Sequence, residues 1–325
     1  MRIFLVFLAL ISMQMTLSQT CCSGGVPLSN NLGLPNDGKG SVFLGLTYDY
    51  NNLNTLNAGK EELDDDSRLR ITNAILLSLG YAFTERFSVE SLLTWVNQSR
   101  TISQFENESF TETSGIGDAL FLLKYAIPKV LGEDSSVSFG GGVKVPLGRS
   151  DLLTEQGIQL TADLQPGSGA LDYIALFSIS KNLPFRPSSV ISGSATFRFT
   201  GVNNDYLNGS STYEFGDEVQ VNIGYTDQFL LFNTIFSPSL VIKYRNAQID
   251  KIDDSNLPNT GGEWVFIRPE LTVNITSDLS LFSRLEIPMY SYVDGTQLTP
   301  TLRFSGGINF RLKKKNNILS NGTIK

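Results

Sequence analysis

Beyond its first twenty residues the chain places apolar side chains at every second position, in run after run. Nowhere there does it gather the roughly 18 uninterrupted apolar residues that a membrane helix needs. A period of two specifies strands with one apolar face. From Ser41 to Tyr50 the even positions are Val42, Leu44, Leu46, Tyr48 and Tyr50, against Gly45, Thr47 and Asp49. From Ile71 to Phe83, residues Ile71, Ile75, Leu77, Leu79, Tyr81 and Phe83 oppose Thr72, Ala74, Ser78, Gly80 and Ala82. Phe87 to Trp95 repeats the pattern, and so do residues 117–127, 136–147, 169–180, 189–200, 215–225, 234–246, 264–275, 279–290 and 301–312. About twelve such runs, each near the 9–11 residues of a tilted membrane strand, specify an all-β fold: an antiparallel transmembrane β-barrel.

The links between runs sort by length, which a soluble sandwich has no reason to do and a membrane barrel does. Short links fall at Thr84–Arg86, Pro128–Ser135, Lys181–Ser188, Thr226–Asn233 and Thr276–Asp278. Long links alternate with them at Asn51–Arg70, Asn97–Ser114, Gly148–Ser168, Gly201–Glu214, Ala247–Glu263 and Ser291–Pro300. With the N-terminus in the periplasm, every short link is a periplasmic turn and every long link an extracellular loop. Tyr81, Phe83, Phe87, Tyr125 and Tyr225 then fall at the inner rim, and Tyr48, Tyr50, Trp95, Tyr244 and Tyr290 at the outer rim, as two aromatic girdles.

The parity opposite the lipid face carries the charges: Asp49, Glu90, Asp118, Lys124, Lys144, Asp172, Arg198, Glu218, Lys243, Arg245, Arg268, Glu270, Arg284, Glu286, Arg303 and Arg311. Ionised side chains cost a few kcal/mol at the lipid face of a barrel's midplane, so this confinement marks an inward face. Two readings stand side by side: the charges pair across neighbouring strands and fill the interior, or they line a path for solute. Eight strands give a filled interior and sixteen an aqueous channel, and twelve lies between.

The ends of the chain read differently. Arg2, the apolar run Ile3–Ile11 and the polar stretch to Ser18 have the form of a secretory signal peptide over residues 1–18. A periplasmic leader is expected over residues 19–38, the barrel over residues 39–312 and a polar tail over residues 313–325. Acylation of Cys21 is the competing reading of the leader, and Thr20 is a poor residue to precede it. Adjacent Cys21 and Cys22 cannot staple distant parts of the fold.

Composition narrows the chemistry. The chain has no histidine, which removes Ser-His-Asp and Cys-His catalysis and His-ligated metal or haem. A carboxylate pair such as Glu270 with Glu286 has nothing else to mark it as catalytic, so no enzyme, cofactor or metal is expected. A formal net charge of -7 argues against a nucleic-acid partner.

Several local sequences complete the reading: GIGD at Gly115–Asp118, KVPLG at Lys144–Gly148, LQPGSG at Leu164–Gly169 followed by Asp172, NTGG at Asn259–Gly262, and PMYSYVDGTQL at Pro288–Leu298. Together they resemble the MetA-pathway-of-phenol-degradation family of outer-membrane barrels, over nearly all of the chain beyond residue 38. The resemblance implies a bacterial outer-membrane channel or transporter for small hydrophobic or aromatic molecules, and brings no set of binding residues. The expected partners are outer-membrane lipid and lipopolysaccharide, a small-molecule solute and the barrel-assembly machinery. The alternative is a structural or surface-interaction barrel displaying its acidic first loop, Glu61, Glu62, Asp64, Asp65 and Asp66. One loop stands apart: Arg149 to Gly167 carries Leu152, Leu153, Ile158, Leu160 and Leu164, more apolar residues than a solvated loop should. It is expected to fold inward or across the mouth as a constriction or gate.

Overall fold

The computed structural model describes residues 38–104 and 107–312. The expected signal peptide, the leader with Cys21 and Cys22, and the polar tail lie outside the described residues, apart from Gly38. Twelve antiparallel strands form the barrel. They are β1 (Val42–Ala58), β2 (Arg68–Ala82), β3 (Phe87–Gln104) and β4 (Asn107–Ile116 continuing as Ala119–Pro128). Then come β5 (Ser135–Val145), β6 (Asp172–Leu183), β7 (Arg186–Phe199) and β8 (Glu218–Thr226), followed by β9 (Thr234–Ala247), β10 (Gly262–Asn274), β11 (Leu279–Val293) and β12 (Thr296–Leu312). Each strand pairs with its sequence neighbour, and β1 pairs with β12 from Val42↔Leu312 to Ala58↔Thr296, which closes the ring. Closure matters because a strand edge in lipid would leave backbone donors and acceptors unsatisfied.

Alternation decides which way each residue points. Along the first half of β1, Val42, Leu44, Leu46 and Tyr48 are exposed outward, while Phe43, Thr47 and Asp49 are buried inside. Tyr81 and Phe83 meet edge to face at 5.0 Å and Phe87 meets Tyr125 at 4.8 Å, both beside periplasmic turns.

Strand boundaries differ from the sequence reading at the outer end. Residues 97–114 are not a loop: Asn97 pairs with Ser114, and the ladder runs on to Gln104↔Asn107. Likewise β1 continues to Ala58, with Glu61–Leu63 pairing back onto it, and β12 begins at Thr296. Beyond the lipid both faces of a strand meet water, so the apolar alternation stops although the hydrogen-bonded ladder does not.

Two irregularities in the wall position the site. The first is the break in β4 at Gly117 and Asp118, between the two segments that both pair with β3. The second lies between β11 and β12. Their ladder ends at Glu286↔Arg303. Outward of that point the β11 arm runs along β10, up to Gly262↔Val293, and the β12 arm along β1, while Gly59 accepts from the Val293 N–H and donates to the Gly295 carbonyl at the tip. The two arms rejoin at the Asp294–Gly295 turn, so an eye-shaped gap is left in the wall. Pro288 and Pro300, which have no N–H to donate, stand on either side of it.

Candidate functional site: the barrel interior and its outer mouth

The inward charges pair with one another. One chain of contacts crosses the outer part of the barrel. Lys144 of β5 reaches Asp118 at 3.0 Å and Asp172 at 2.8 Å, Arg198 of β7 bridges Asp172 at 3.8 Å and Glu218 at 3.3 Å, and Arg245 closes on Glu218 at 2.9 Å. A second network joins Lys243 to Glu286 at 3.1 Å, Arg268 to Glu286 at 3.9 Å and Glu270 at 2.5 Å, and Arg284 to Glu270 at 3.6 Å. Lys124 pairs with Glu90, and Arg303 with Asp49 at 3.0 Å. Lys144, Asp118, Asp172 and Arg198 are no more than 2% exposed, so these are buried ion pairs. Arg311 lies at the periplasmic end, with its guanidinium 5.9 Å from the Phe43 ring.

The other side of the interior is apolar, which the inward-charge pattern did not foretell. Ala74, Leu76, Leu92, Val96, Leu120, Leu122, Ile174 and Leu176 form one buried cluster contributed by β2, β3, β4 and β6. Near β10, Trp264, Phe266 and Val293 form another. Lys243 lies 5.2 Å from the Phe266 ring and Arg245 4.9 Å from the Trp264 ring, so the aromatics shield part of the charge network.

The segment from Arg149 to Gly167 enters the mouth. It begins as a small hairpin, with the Leu160 N–H donating to the Leu152 carbonyl. The buried Gln165 amide clamps that hairpin, donating to the carbonyls of Leu152 and Leu160 and accepting from the Leu152 N–H. The 3-10 turn Ala162–Leu164 then presents Asp163, whose carboxylate accepts from Arg70 of β2 at 2.9 Å. Thr113 donates to the Leu164 carbonyl at 2.6 Å and Gln98 to the Gln165 carbonyl at 3.2 Å. At the neck Ser168 donates to Asp118 through both its N–H, at 3.0 Å, and its hydroxyl, at 2.7 Å. Gly148 and Gly167 cross there so closely that a Cβ on either would strike the other's backbone. The motifs KVPLG and LQPGSG are thus the two legs of this neck.

Over the inserted segment sits a cap built from the next two extracellular loops. Short strands Val202–Asn203, Tyr213–Glu214, Lys251–Ile252 and Ser255–Asn256 pair into a small sheet. Its core joins Tyr206, Tyr213 and Phe215 to Ala162 of the inserted segment. Asp250 is buried within the cap, accepting from the Tyr213 hydroxyl at 2.6 Å and the Gly216 N–H at 2.8 Å. Loss of hydration pushes its carboxyl above the ordinary value of 3.8, and these two hydrogen bonds offset that only in part.

The gap in the wall is a cavity of about 300 Å³. Pro288, Met289, Tyr290, Pro300 and Thr301 edge it, with Thr55, Asn57 and Lys60 of the adjoining chain. Pro288 and Ser291 are the cross-strand partners of Phe266 and Trp264, which places the gap beside the inward aromatic cluster.

Many of the charges that sequence parity assigned to the inward face are buried, and Arg70, Asp163, Gln165, Trp264 and Phe266 were not among the residues it singled out. Arg70 was placed within the first outer loop, and Asp163 within a loop whose contacts no local pattern encodes.

A ring closed by twelve antiparallel strands, apolar outward and ion-paired inward, defines a channel-like β-barrel of the bacterial outer membrane. The family described as "Putative MetA-pathway of phenol degradation" matches residues 78–293, well over half of the chain, and the protein belongs to it. The fold is similar to that of the COG4313 outer membrane channel from Pseudomonas putida F1, with a TM-score of 0.67 at 15% identity, over 88% of this chain and 100% of that one. The beta domain of the Bordetella autotransporter Brka follows with a TM-score of 0.48 at 10% identity, over 84% of this chain and 100% of that one. No curated protein sequence matches the chain.

Proposed function

We propose that the protein admits small hydrophobic or aromatic molecules across the outer membrane, and that they enter from the side, through the gap between β11 and β12. The observation that carries this reading is the combination of buried ion pairs in the interior with a gap in the wall ladder whose flanking residues Pro288 and Ser291 pair with Phe266 and Trp264. Met289, which is 66% exposed, stands at the edge of the gap that a solute dissolved in the outer leaflet would meet, with Lys60 and Glu62 also in its lining. Transfer from lipid to an aromatic surface avoids the hydration step that a water-filled pore imposes on an apolar molecule. The inserted segment, residues 149–167, acts as the movable constriction of the mouth. Insertion by the barrel-assembly machinery and contact with lipopolysaccharide at the outer rim belong to the same reading.

The test pairs two measurements on the intact protein. Planar-bilayer recordings should give low ion conductance, and cells bearing the protein should take up a labelled small aromatic faster than cells lacking it. High steady conductance without faster uptake would make it a pore for hydrophilic solutes. Low conductance without faster uptake, from a barrel shown to be folded, would leave a structural or surface-interaction barrel.

A further inference from the structure

Three inward arginines gather at the outer mouth on two adjacent strands. Arg68 and Arg70 lie on β2 and Arg100 on β3, with Arg70 and Arg100 directly opposite in the ladder. Arg100 lies in the electric field of Arg68, Arg70 and Asp163. The acids close to the three are Asp163, brought in by the inserted segment, and Asp65, which acts on Arg68 from the first outer loop. Arg68 is not saturated: its Nε and Nη1 are shielded from solvent and make no hydrogen bond among the described residues. A shielded guanidinium with open donors is suited to an anion such as a carboxylate.

One polar pair inward of the arginines, Thr72 with Gln98, the same two strands become largely apolar, with Thr94 the polar residue among them. Ala74 and Leu76 follow Arg70 on the interior face of β2, and Val96 and Leu92 precede Arg100 on that of β3. Arg70 and Ala74 are four residues apart, about 13 Å along a strand, a span that a small aromatic acid with its first contacts would bridge. The wall therefore offers a cationic end and an apolar bed in one line.

The resting structure already places a matching pair of groups at the cationic end. Asp163 lays its carboxylate on Arg70, and the next residue, Leu164, is fully buried. Gln98 accepts from Arg70 and donates to the Gln165 carbonyl, so the arginine and the inserted backbone share a partner. Residues 161–165 are tied to β2, β3 and β4 by the Arg70–Asp163 ion pair, in which Arg70 also donates to the Asp163 carbonyl, and by neutral hydrogen bonds from Thr113 and Gln98.

We propose that Arg68, Arg70 and Arg100, with the apolar bed beneath them, form a receiving site for small carboxylates that carry an apolar or aromatic body. Asp163 and Leu164 hold that site at rest, and an arriving carboxylate displaces them and frees the inserted segment. This rests on the reading of the interior as a solute path and names the solute class. It also gives the segment a reason to move, because a ligand shifts an equilibrium only through groups it binds differently in the two states.

The experiment is amide hydrogen exchange across residues 161–168 of the refolded full-length barrel, with benzoate, its neutral analogue benzamide, or acetate as probe. Benzoate should raise exchange in this stretch several-fold, and the other two should not. Asp163→Asn should raise it without any probe, and Arg68→Gln should shrink the benzoate response. Heat-modifiable migration checks that each variant is folded. Absence of a benzoate response in the unmodified protein, or an equal response to benzamide, overturns the proposal. Because exchange is read without transport, a benzoate response combined with no cellular uptake would discard the solute-path reading and keep the site. Uptake without an exchange response would do the reverse.

Discussion

Asp163 and Arg70 are 93 residues apart in sequence and meet at 2.9 Å, each 5% exposed or less, so that a loop carboxylate neutralises a guanidinium of the barrel wall. A buried pair of this kind gains little over an apolar pair of the same shape, but losing one partner leaves the other charged and unsolvated. The contact therefore specifies where the inserted segment sits more than it adds to the stability of the barrel.

Arg70→Met should strand the Asp163 carboxylate and loosen residues 161–168 by about 3–5 kcal/mol. The double variant Arg70→Met with Asp163→Leu should recover most of that loss. Hydrogen exchange of the segment in all four members of the cycle measures it. Equal loosening in the single and double variants would show that the stranded charge is not what loosens the segment.

Glycine at 142 has a packing reason that glycine at 141 lacks. A Cβ at Gly142 would press on the carbonyl oxygen of Phe121 and on Leu122, whereas one at Gly141 meets nothing within 4 Å. Gly142 thus lets β4 and β5 approach beneath the apolar cluster. Gly142→Ala should lower the temperature at which the barrel loses its heat-modifiable migration, and Gly141→Ala should leave that temperature where it was or raise it slightly through chain entropy. Equal effects at the two sites would refute the packing argument.

The barrel was legible in the sequence because lipid enforces alternation, and every membrane strand carries that imprint from Val42 to Leu312. Lys144, Asp172 and Arg198 sit on the parity that lipid excludes, and they are buried. The outer ladder of β3 and β4 was not, since Asn97, Gln98, Ser99 and Arg100 face water or protein on both sides and alternate in nothing. The gap between β11 and β12 escaped for another reason. PMYSYVDGTQL stood out as a motif, but whether Pro288 and Pro300 end a ladder depends on which strand each arm pairs with, a long-range fact. Leu164 and Leu160 marked the inserted segment as unusual, while its docking partners Arg70, Gln98 and Thr113 lie on other elements that no local pattern connects to it.

Met289 offers a direct probe of the side entrance. It is exposed at the edge of the gap, in the outer part of the wall, where a lysine facing lipid costs about 0–1 kcal/mol rather than the 2–4 of the midplane. Met289→Lys should therefore fold, and should slow uptake of a neutral small aromatic several-fold by placing a hydrated charge in its way. The same substitution at Phe197, an outward residue near the outer end of β7 and away from the gap, supplies the comparison. Uptake slowed equally by both variants would point to a general effect on the barrel and not to an entrance at β11 and β12.

Asp250 makes the cap sensitive to pH, with a sign fixed by its burial. Loss of hydration raises its carboxyl above 3.8, so the folded cap favours the protonated form more than the unfolded loop does. Well below pH 3.8 the group is protonated in both states and exerts no penalty. As pH rises from there through the raised value, the unfolded loop ionises freely and the folded cap does so reluctantly, and the cap loses stability across that window. Above it the penalty is constant. Hydrogen exchange of residues 212–216 and 250–257, corrected for its intrinsic pH dependence, should therefore report the tightest cap on the acid side. Asp250→Asn keeps an oxygen for the Gly216 N–H and should flatten that dependence, while protection at neutral pH rises. A pH profile identical in Asp250→Asn and the unmodified protein would assign the titration to another group, with Asp163, which adds its own negative charge to the field at Asp250, the first to examine.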